Sequence, residues 1–519
     1  MKAFSKLLAL VLACLLLVTT FVACGDEAGS NTGGEDTNTT DSNAPETGPQ
    51  GGYDASFDRN SVKDNVPTDL KFTGETVTFF VRNDIDLWKY EMDVDEILND
   101  TLYDAIYYRN KTVEERLGVT ITTVEAPGNY TNRLAWNDTL RTAVNTKSGD
   151  FDTAAIYLSQ GTPLAVEGMY YNVVDFPYIE LNKPWWNQDL REELTLFNTL
   201  YYLGGDIAAT ETNQTFCMFY NKNLFDKYYG VQGINLYDVV ENKEWTMDYM
   251  YDLVSAVHED VDGDGTVNDG DVVGFVAYTA GTEESGNDGW IPACGIDITT
   301  KVNGIPVLSF YGERTLRAYE TLKKLYSNPG TLNHDLPELT TFANGNQMFR
   351  RGKLNDGSEL REMKDSYGVL PLPMLEANQE GGYATTVGNV ASLITILSSL
   401  PEGRKALVGA TLELMAAESY KQITPAYFEV AVKTKYSEAP EDAEMYELIL
   451  NSIKFSFGYC YSTASLKGGP GSLPIGSLFR KLSVDLAQMY DTNDEVYEEN
   501  LQKLIEGLDE VAFKAQHGG

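Results

Sequence analysis

Phe151–Tyr157, FDTAAIY, is a near-continuous apolar run, and such a run suits a strand covered on both faces rather than one with a wet side. Upstream, ETVTFFVR (Glu75–Arg82) is rich in strand formers, and VTITT restarts a strand after Gly118. Between the strands lie two helical stretches. One starts at about Val94, with apolar residues at Ile97, Leu98, Leu102, Ala105 and Ile106; the other covers Arg133–Thr146. The order βαβαβ predicts a parallel sheet. A Gly204-Gly205 break then introduces a second α/β unit. Its expected strands lie at Phe216–Tyr220, Gly274–Tyr278, Tyr367–Pro373 and Val390–Leu397, with helices near Leu224, over Thr246–Val257 and from Glu313 to Tyr326. The remaining C-terminal part reads as mostly helical, and no tandem repeat is visible.

The chain has 519 residues, enough for a two-lobed body. It carries 39 Lys+Arg against 77 Asp+Glu, a formal net charge of −38. A polyphosphate partner would be repelled by that field, which excludes nucleic-acid binding. The three histidines, His258, His334 and His517, lie far apart and give no metallohydrolase signature.

Lys2 and Lys6 precede the apolar run Leu7–Val18, the pattern of a removable export signal over residues 1–23. Phe21-Val22-Ala23-Cys24 resembles the bacterial lipobox, with Phe where Leu is usual. The resemblance implies a diacylated Cys24 that tethers the chain at the extracellular face of the cell membrane. Residues 24–60, rich in Gly, Asn, Thr, Asp and Glu, cannot bury enough surface to offset their ordering entropy and read as a spacer. Cys217, Cys294 and Cys460 are widely spaced in apolar sequence, which favours free buried thiols over a disulfide framework.

One motif is sharp. From Asp260 to Asp271 the chain reads DVDGDGTVNDGD, the D-x-[DN]-x-[DN]-G calcium pattern. Asp260, Asp262 and Asp264 supply hard oxygens at alternate positions, Thr266 its carbonyl, Asn268 a direct or water-mediated contact, and Asp271 the closing carboxylate, with Gly265 at the sharp turn. Asp271 stands where an EF-hand has Glu. The loop is single and precedes a strand, so a structural Ca2+ clip is expected rather than a sensor. Dockerins pair two such loops in a short terminal module, and a lone mid-chain loop argues against that reading.

Several segments together resemble an extracellular solute-binding protein of the carbohydrate-type ABC importers. They are DAIYYRNKTVEERLGV (Asp104–Val119), SGDFDTAAIY (Ser148–Tyr157), KPWWNQDL (Lys183–Leu190), FYNKNLFDKYYG (Phe219–Gly230), WTMDYM (Trp245–Met250), FANGNQMF (Phe342–Phe349) and TPAYFEVAVKTKY (Thr424–Tyr436). The resemblance implies an α/β, periplasmic-binding-protein-like fold of type II: two lobes, crossing hinge strands and a helical C-terminal part. Lobe 1 is then expected at 61–205 plus about 385–430, and lobe 2 at 206–384 plus about 431–519, carrying the loop 260–271. The implied crossings lie near Gly205–Thr212 and Thr385–Val390. The implied partners are a sugar or oligosaccharide and the subunits of an ABC permease; the chain is expected to be a monomer that does no chemistry on its ligand.

In open α/β sheets ligands sit outside the carboxyl ends of the strands. That points to Asn83 and Asp84 after the first strand, Ser159 and Gln160 after FDTAAIY, and Glu211 and Thr212 on the crossing strand. An aromatic face covers a sugar's C–H face well, and Trp88 and Trp290 are the candidates, with core packing the competing role for Trp88. The alternative class is a lipid-anchored glycoside hydrolase, which needs two carboxylates at a defined separation. With 77 acids, pairs are too plentiful to single one out.

Overall fold

The structure is a computed structural model that describes residues 54, 57–268, 270–278, 287–334, 339–433, 440–462, 482 and 485–517. The expected export signal, Cys24 and most of the spacer lie outside these residues.

The FDTAAIY strand is β3 (Thr153–Tyr157), and every one of its residues is buried. It lies beside β1 (Thr76–Arg82), which pairs in parallel with β3 and with β2 (Thr120–Ala126). The crossover from β1 to β2 runs through the helix Thr101–Leu117. The Asp100 side chain caps its start by accepting from the backbone N–H of Leu102 and Tyr103, and Gly118 ends it at φ +73°. The helix Arg133–Thr146 carries the chain from β2 to β3. A fourth strand, β12 (Ser392–Ile396), runs antiparallel to β3, with Leu393 opposite Ile156. Leu203 and Ile394 exchange backbone hydrogen bonds of 2.8 and 2.9 Å, which extends the sheet by one more segment.

The second sheet repeats the plan. It holds β4 (Phe216–Asn221), β5 (His258–Glu259), β6 (Val272–Tyr278), β9 (Thr331–His334), β10 (Gln347–Lys353) and β11 (Tyr367–Leu370). β6 pairs in parallel with β9 and β10, and β4 lies antiparallel between β10 and β11. A separate hairpin pairs β7 (Thr299–Val302) with β8 (Ile305–Leu308). In each sheet a β1-type strand sits between two parallel neighbours, and the antiparallel fourth strand is the one that has just crossed from the other lobe. β4 enters lobe 2 after the 204–215 segment, and β12 returns to lobe 1 after 385–391.

The crossings pair with each other. Phe216 N donates to Thr386 O at 3.1 Å and Gly388 N to Gln214 O at 2.8 Å. A third segment joins them: Thr385 N donates to Ser452 O at 2.9 Å, and Lys454 N to Thr385 O at 2.8 Å. The hinge therefore has three strands of backbone. Glu211 and Thr212 do not lie on a crossing strand; they sit on a short helix, Ala209–Asn213. The buried Thr210 on that helix donates from its N–H to Glu91 Oε1 at 2.9 Å, which holds the turn against lobe 1.

Large aromatic and aliphatic side chains fill the core, among them Phe79, Phe80, Trp136, Trp185, Trp186, Trp245 and Trp290. Phe80 stacks on both Trp136 and Phe151, at 4.3 and 4.6 Å between centroids. The helix Lys405–Lys433 packs on the helix Thr101–Leu117 of lobe 1, and Pro440–Asn451 packs on β11 of lobe 2. The last helix, Leu486–His517, touches both the 162–167 turn of lobe 1 and β8 of the hairpin, so it belongs to neither lobe alone, where the sequence reading put it with lobe 2. Cys217, Cys294 and Cys460 are free and buried. No helix among the described residues is long and apolar enough to cross a membrane.

Candidate ligand site

The parallel strands of lobe 1 end along one edge, in the order β2, β1, β3, then the start of β12 and the 204–206 segment. Every lobe-1 residue singled out in the sequence lies on or beside this edge, in two groups.

The first group follows β1 and β3. Asn83 is half-buried, its N–H donating to Ala126 O at 3.1 Å and its side-chain amide reaching Glu125 Oε2 at 3.4 Å. Asp84 Oδ2 accepts from Gly128 N at 2.6 Å. Ser159 is fully buried; its N–H donates to Asn389 O at 3.3 Å, and its hydroxyl accepts from the Gln160 amide at 3.3 Å. Gln160 Oε1 accepts from Arg133 Nε at 3.1 Å. Of these four residues Ser159 meets the return crossing directly, through Asn389. Trp88 is buried at 8% exposure, and one face of its ring is covered by the Arg82 guanidinium at 4.2 Å. Arg82 Nη2 donates to Val390 O at 2.9 Å and Ser392 Oγ at 2.8 Å. Burial, opposed by the nearby Glu91, lowers the Arg82 guanidinium to about 10, so it stays cationic at neutral pH.

Facing this group from lobe 2, Lys353 at the end of β10 donates to Gln214 Oε1 at 2.8 Å. Asn287 and Asp288, before Trp290, are buried, and the Tyr459 hydroxyl lies 3.1 Å from Val387 O and 3.4 Å from Asp288 Oδ2. Trp290 itself is fully buried in the core and presents no open ring face in this structure.

The second group lies past the crossings. Glu211 and Thr212 line a cavity of 340 Å³ together with Arg59, Trp186, Asn187, Asp189, Asp206, Tyr420, Thr424 and the 450–454 segment. Glu211 Oε1 accepts from Gly205 N at 2.8 Å, and Oε2 lies 3.5 Å from the Asn187 amide. Burial pushes the Glu211 carboxyl up to about 8 and Asp206 to about 6, the second eased by Arg59 and by the Thr424 hydroxyl. The structure therefore separates Glu211 and Thr212 from Asn83, Asp84, Ser159 and Gln160.

Sequence reasoning passed over Arg82, Gln214, Lys353 and Asn389. A signal existed for two of them. Arg82 and Lys353 each end a buried strand with a base, in a chain with about twice as many acids as bases.

The acidic loop joins β5 to β6, two antiparallel strands, rather than a helix to a strand. Oxygens of Asp260, Asp262 and Asp264 lie within 4.8 Å of one another. Asp260 accepts from the N–H of Gly263 and Gly265, at 2.7 and 2.8 Å, and the Gly265 bond is the main cause holding its carboxyl low. Asp271 is buried and accepts from the N–H of Val261 and Asn268, at 2.8 and 2.9 Å. Hard oxygens held this close fit the chemistry of a Ca2+ site.

Two sheets of one strand order, joined by crossings that supply each other's fourth strand, define the two-lobed fold of the periplasmic-binding-protein-like solute-binding proteins. Solved structures agree. UspC of M. tuberculosis superimposes with a TM-score of 0.52 at 13% identity, over 82% of this chain and 100% of that one. The cyclic alpha-maltosyl-1,6-maltose binding protein from Arthrobacter globiformis does so with a TM-score of 0.50 at 14% identity, over 84% and 98%. At such identities the likeness establishes the fold. No family model matches the chain, and no curated protein sequence does.

Proposed function

We propose that the protein captures a sugar or oligosaccharide between its lobes and delivers it to an ABC permease, itself doing no chemistry. The observation that carries this reading is the hinge. Three adjacent backbone segments join the two sheets, and the polar residues that follow β1 and β3 lie at the end of lobe 1 from which the crossings run. A ligand that touches both lobes favours the closed form by its differential affinity for that form. Asn83, Asp84, Ser159 and Gln160 offer the donors and acceptors that sugar hydroxyls need, and the sugar-binding Arthrobacter protein of the same fold supports the ligand class.

In this reading Cys24 carries the lipid that tethers the chain outside the cell, and residues 24–60 give it reach. The 260–271 loop binds Ca2+ through Asp260, Asp262, Asp264, Thr266, Asn268 and Asp271. The ion would clip β5 to β6 at the edge of lobe 2, neutralising carboxylates that otherwise repel one another.

The test is a thermal-shift panel of mono- and oligosaccharides and short peptides in calcium, with product analysis of each mixture. At about 100 times its dissociation constant a ligand adds about 2.7 kcal/mol of stability. A shift with the saccharide recovered intact supports capture. Shortened products would replace the importer reading with the hydrolase.

A further inference from the structure

A buried cation with unmet donors stands at the end of β1. Arg82 is 1% exposed, and while its Nη2 is satisfied by Val390 O and Ser392 Oγ, its Nε and Nη1 find no acceptor among the described residues. The indole N–H of Trp88, whose ring covers the guanidinium, is also buried without an acceptor among the described residues. Leaving such donors unpaired is costly, more so on a charged group. Glu91 is the acid that acts on Arg82 most strongly, and Asp84 also acts on it. Glu91 Oε1 is engaged by Thr210, Oε2 is itself buried with no partner among the described residues, and no ion pair among them links Glu91 to Arg82.

A second cation approaches from the other lobe. Lys353 lies beside Gly388, where an added Cβ would stand 3.2 Å from its Nζ. The return crossing 388–392 thus has Lys353 at one end and Arg82 at the other. Three unmet donors against one unmet carboxylate oxygen among the described residues, beside two cations, match a group that accepts only and is itself negative.

We propose that the captured solute is an acidic saccharide of the uronate class, its carboxylate and adjacent hydroxyls supplying acceptors to Arg82 and Trp88, with Lys353 adding positive charge from the second lobe. This rests on the saccharide-capture reading and sharpens it. Trp88 covers the guanidinium from the five-residue helix Asp86–Tyr90 and keeps 8% exposure. Phosphorylated sugars share the anionic chemistry, and carboxylate and phosphate are separated by the choice of probe.

Isothermal titration of the full chain in detergent, with galacturonate, glucuronate, trigalacturonate, the methyl ester of trigalacturonate, maltotriose and glucose 6-phosphate, tests this. The uronates should bind, esterification should weaken binding at least tenfold, and raising the salt should weaken the acid but not maltotriose. Lys353→Met should cost the acid at least tenfold with little change in melting temperature. Arg82→Met should abolish it, but it touches the core, so Lys353→Met is the decisive variant. Maltotriose binding as tightly as trigalacturonate would overturn the acidic class and leave capture standing. Preference for glucose 6-phosphate would overturn the carboxylate assignment. If no saccharide binds, acidic or neutral, the capture reading falls and this inference falls with it.

Discussion

Replacing Glu211 by glutamine removes one ionisable group from behind the hinge and leaves its shape in place. Glu211 is 4% exposed, and burial is the main cause that holds its carboxyl at about 8 against an ordinary 4.5, while the N–H of Gly205 and the Asn187 amide pull the other way. The folded chain therefore binds this proton more tightly than the unfolded chain. Its stability is fully present below pH 4.5 and declines as pH rises towards 8. At about 1.4 kcal/mol per pH unit, the group costs the folded state about 3 kcal/mol at pH 7 and more at pH 8. A glutamine still accepts from Gly205 N through Oε1 and loses only the 3.5 Å Asn187 contact, worth about 1 kcal/mol at most. Glu211→Gln should be equal or slightly weaker at pH 4.5 and stronger by about 3 kcal/mol at pH 8. Urea unfolding followed by circular dichroism from pH 4.5 to 8.5 measures this as the difference between variant and parent. Asp206 and Glu413, raised by burial to about 6 and about 8, leave a common slope that cancels in that difference. A difference that does not change with pH would refute the reasoning, because the carboxylate would then be as well solvated folded as unfolded.

Three further outcomes are expected. Calcium should raise the melting temperature of the chain by a few degrees at saturating concentration, and Asp264→Asn should abolish the shift; an unchanged melt of the parent in EDTA and in calcium would remove the clip. Gly205→Ala should destabilise by roughly 2 kcal/mol or more, since φ is +119° and the new Cβ would stand 2.3 Å from Trp185 O; a urea midpoint matching the parent would contradict it. Cys24→Ser should move the chain from the membrane fraction into the medium, and a variant still sedimenting with membranes would show another tether.

The fold was legible because its strands announce themselves. FDTAAIY is buried along its whole length in β3, and the expected strands at Phe216, Gly274, Tyr367 and Val390 appear as β4, β6, β11 and β12. The crossing at 205–215 was legible as a boundary but not as a shape, because the helix Ala209–Asn213 depends on a partner, Glu91, more than a hundred residues earlier in the chain. The same holds for the site. Asn83 and Ser159 could be placed from the strands they follow, whereas Arg82 becomes conspicuous only when Val390 and Ser392 arrive beside it and two of its donors are left over. Periodicity reports which face of an element is buried. It carries no information about which polar atoms remain unpaired once distant segments meet.

The exchange of fourth strands between the sheets bears on how the chain comes to be folded. Tyr157 must wait for Ser392 to complete the first sheet, so everything from 206 to 384 has to be made and held together before lobe 1 can close its edge. During synthesis the β3 edge stands open, with backbone donors and acceptors on offer to any passing strand. Such long-range pairing makes for slow folding. It also means that a single proteolytic cut in lobe 2 need not release either half, because each sheet would still be stitched by strands from both sides of the cut.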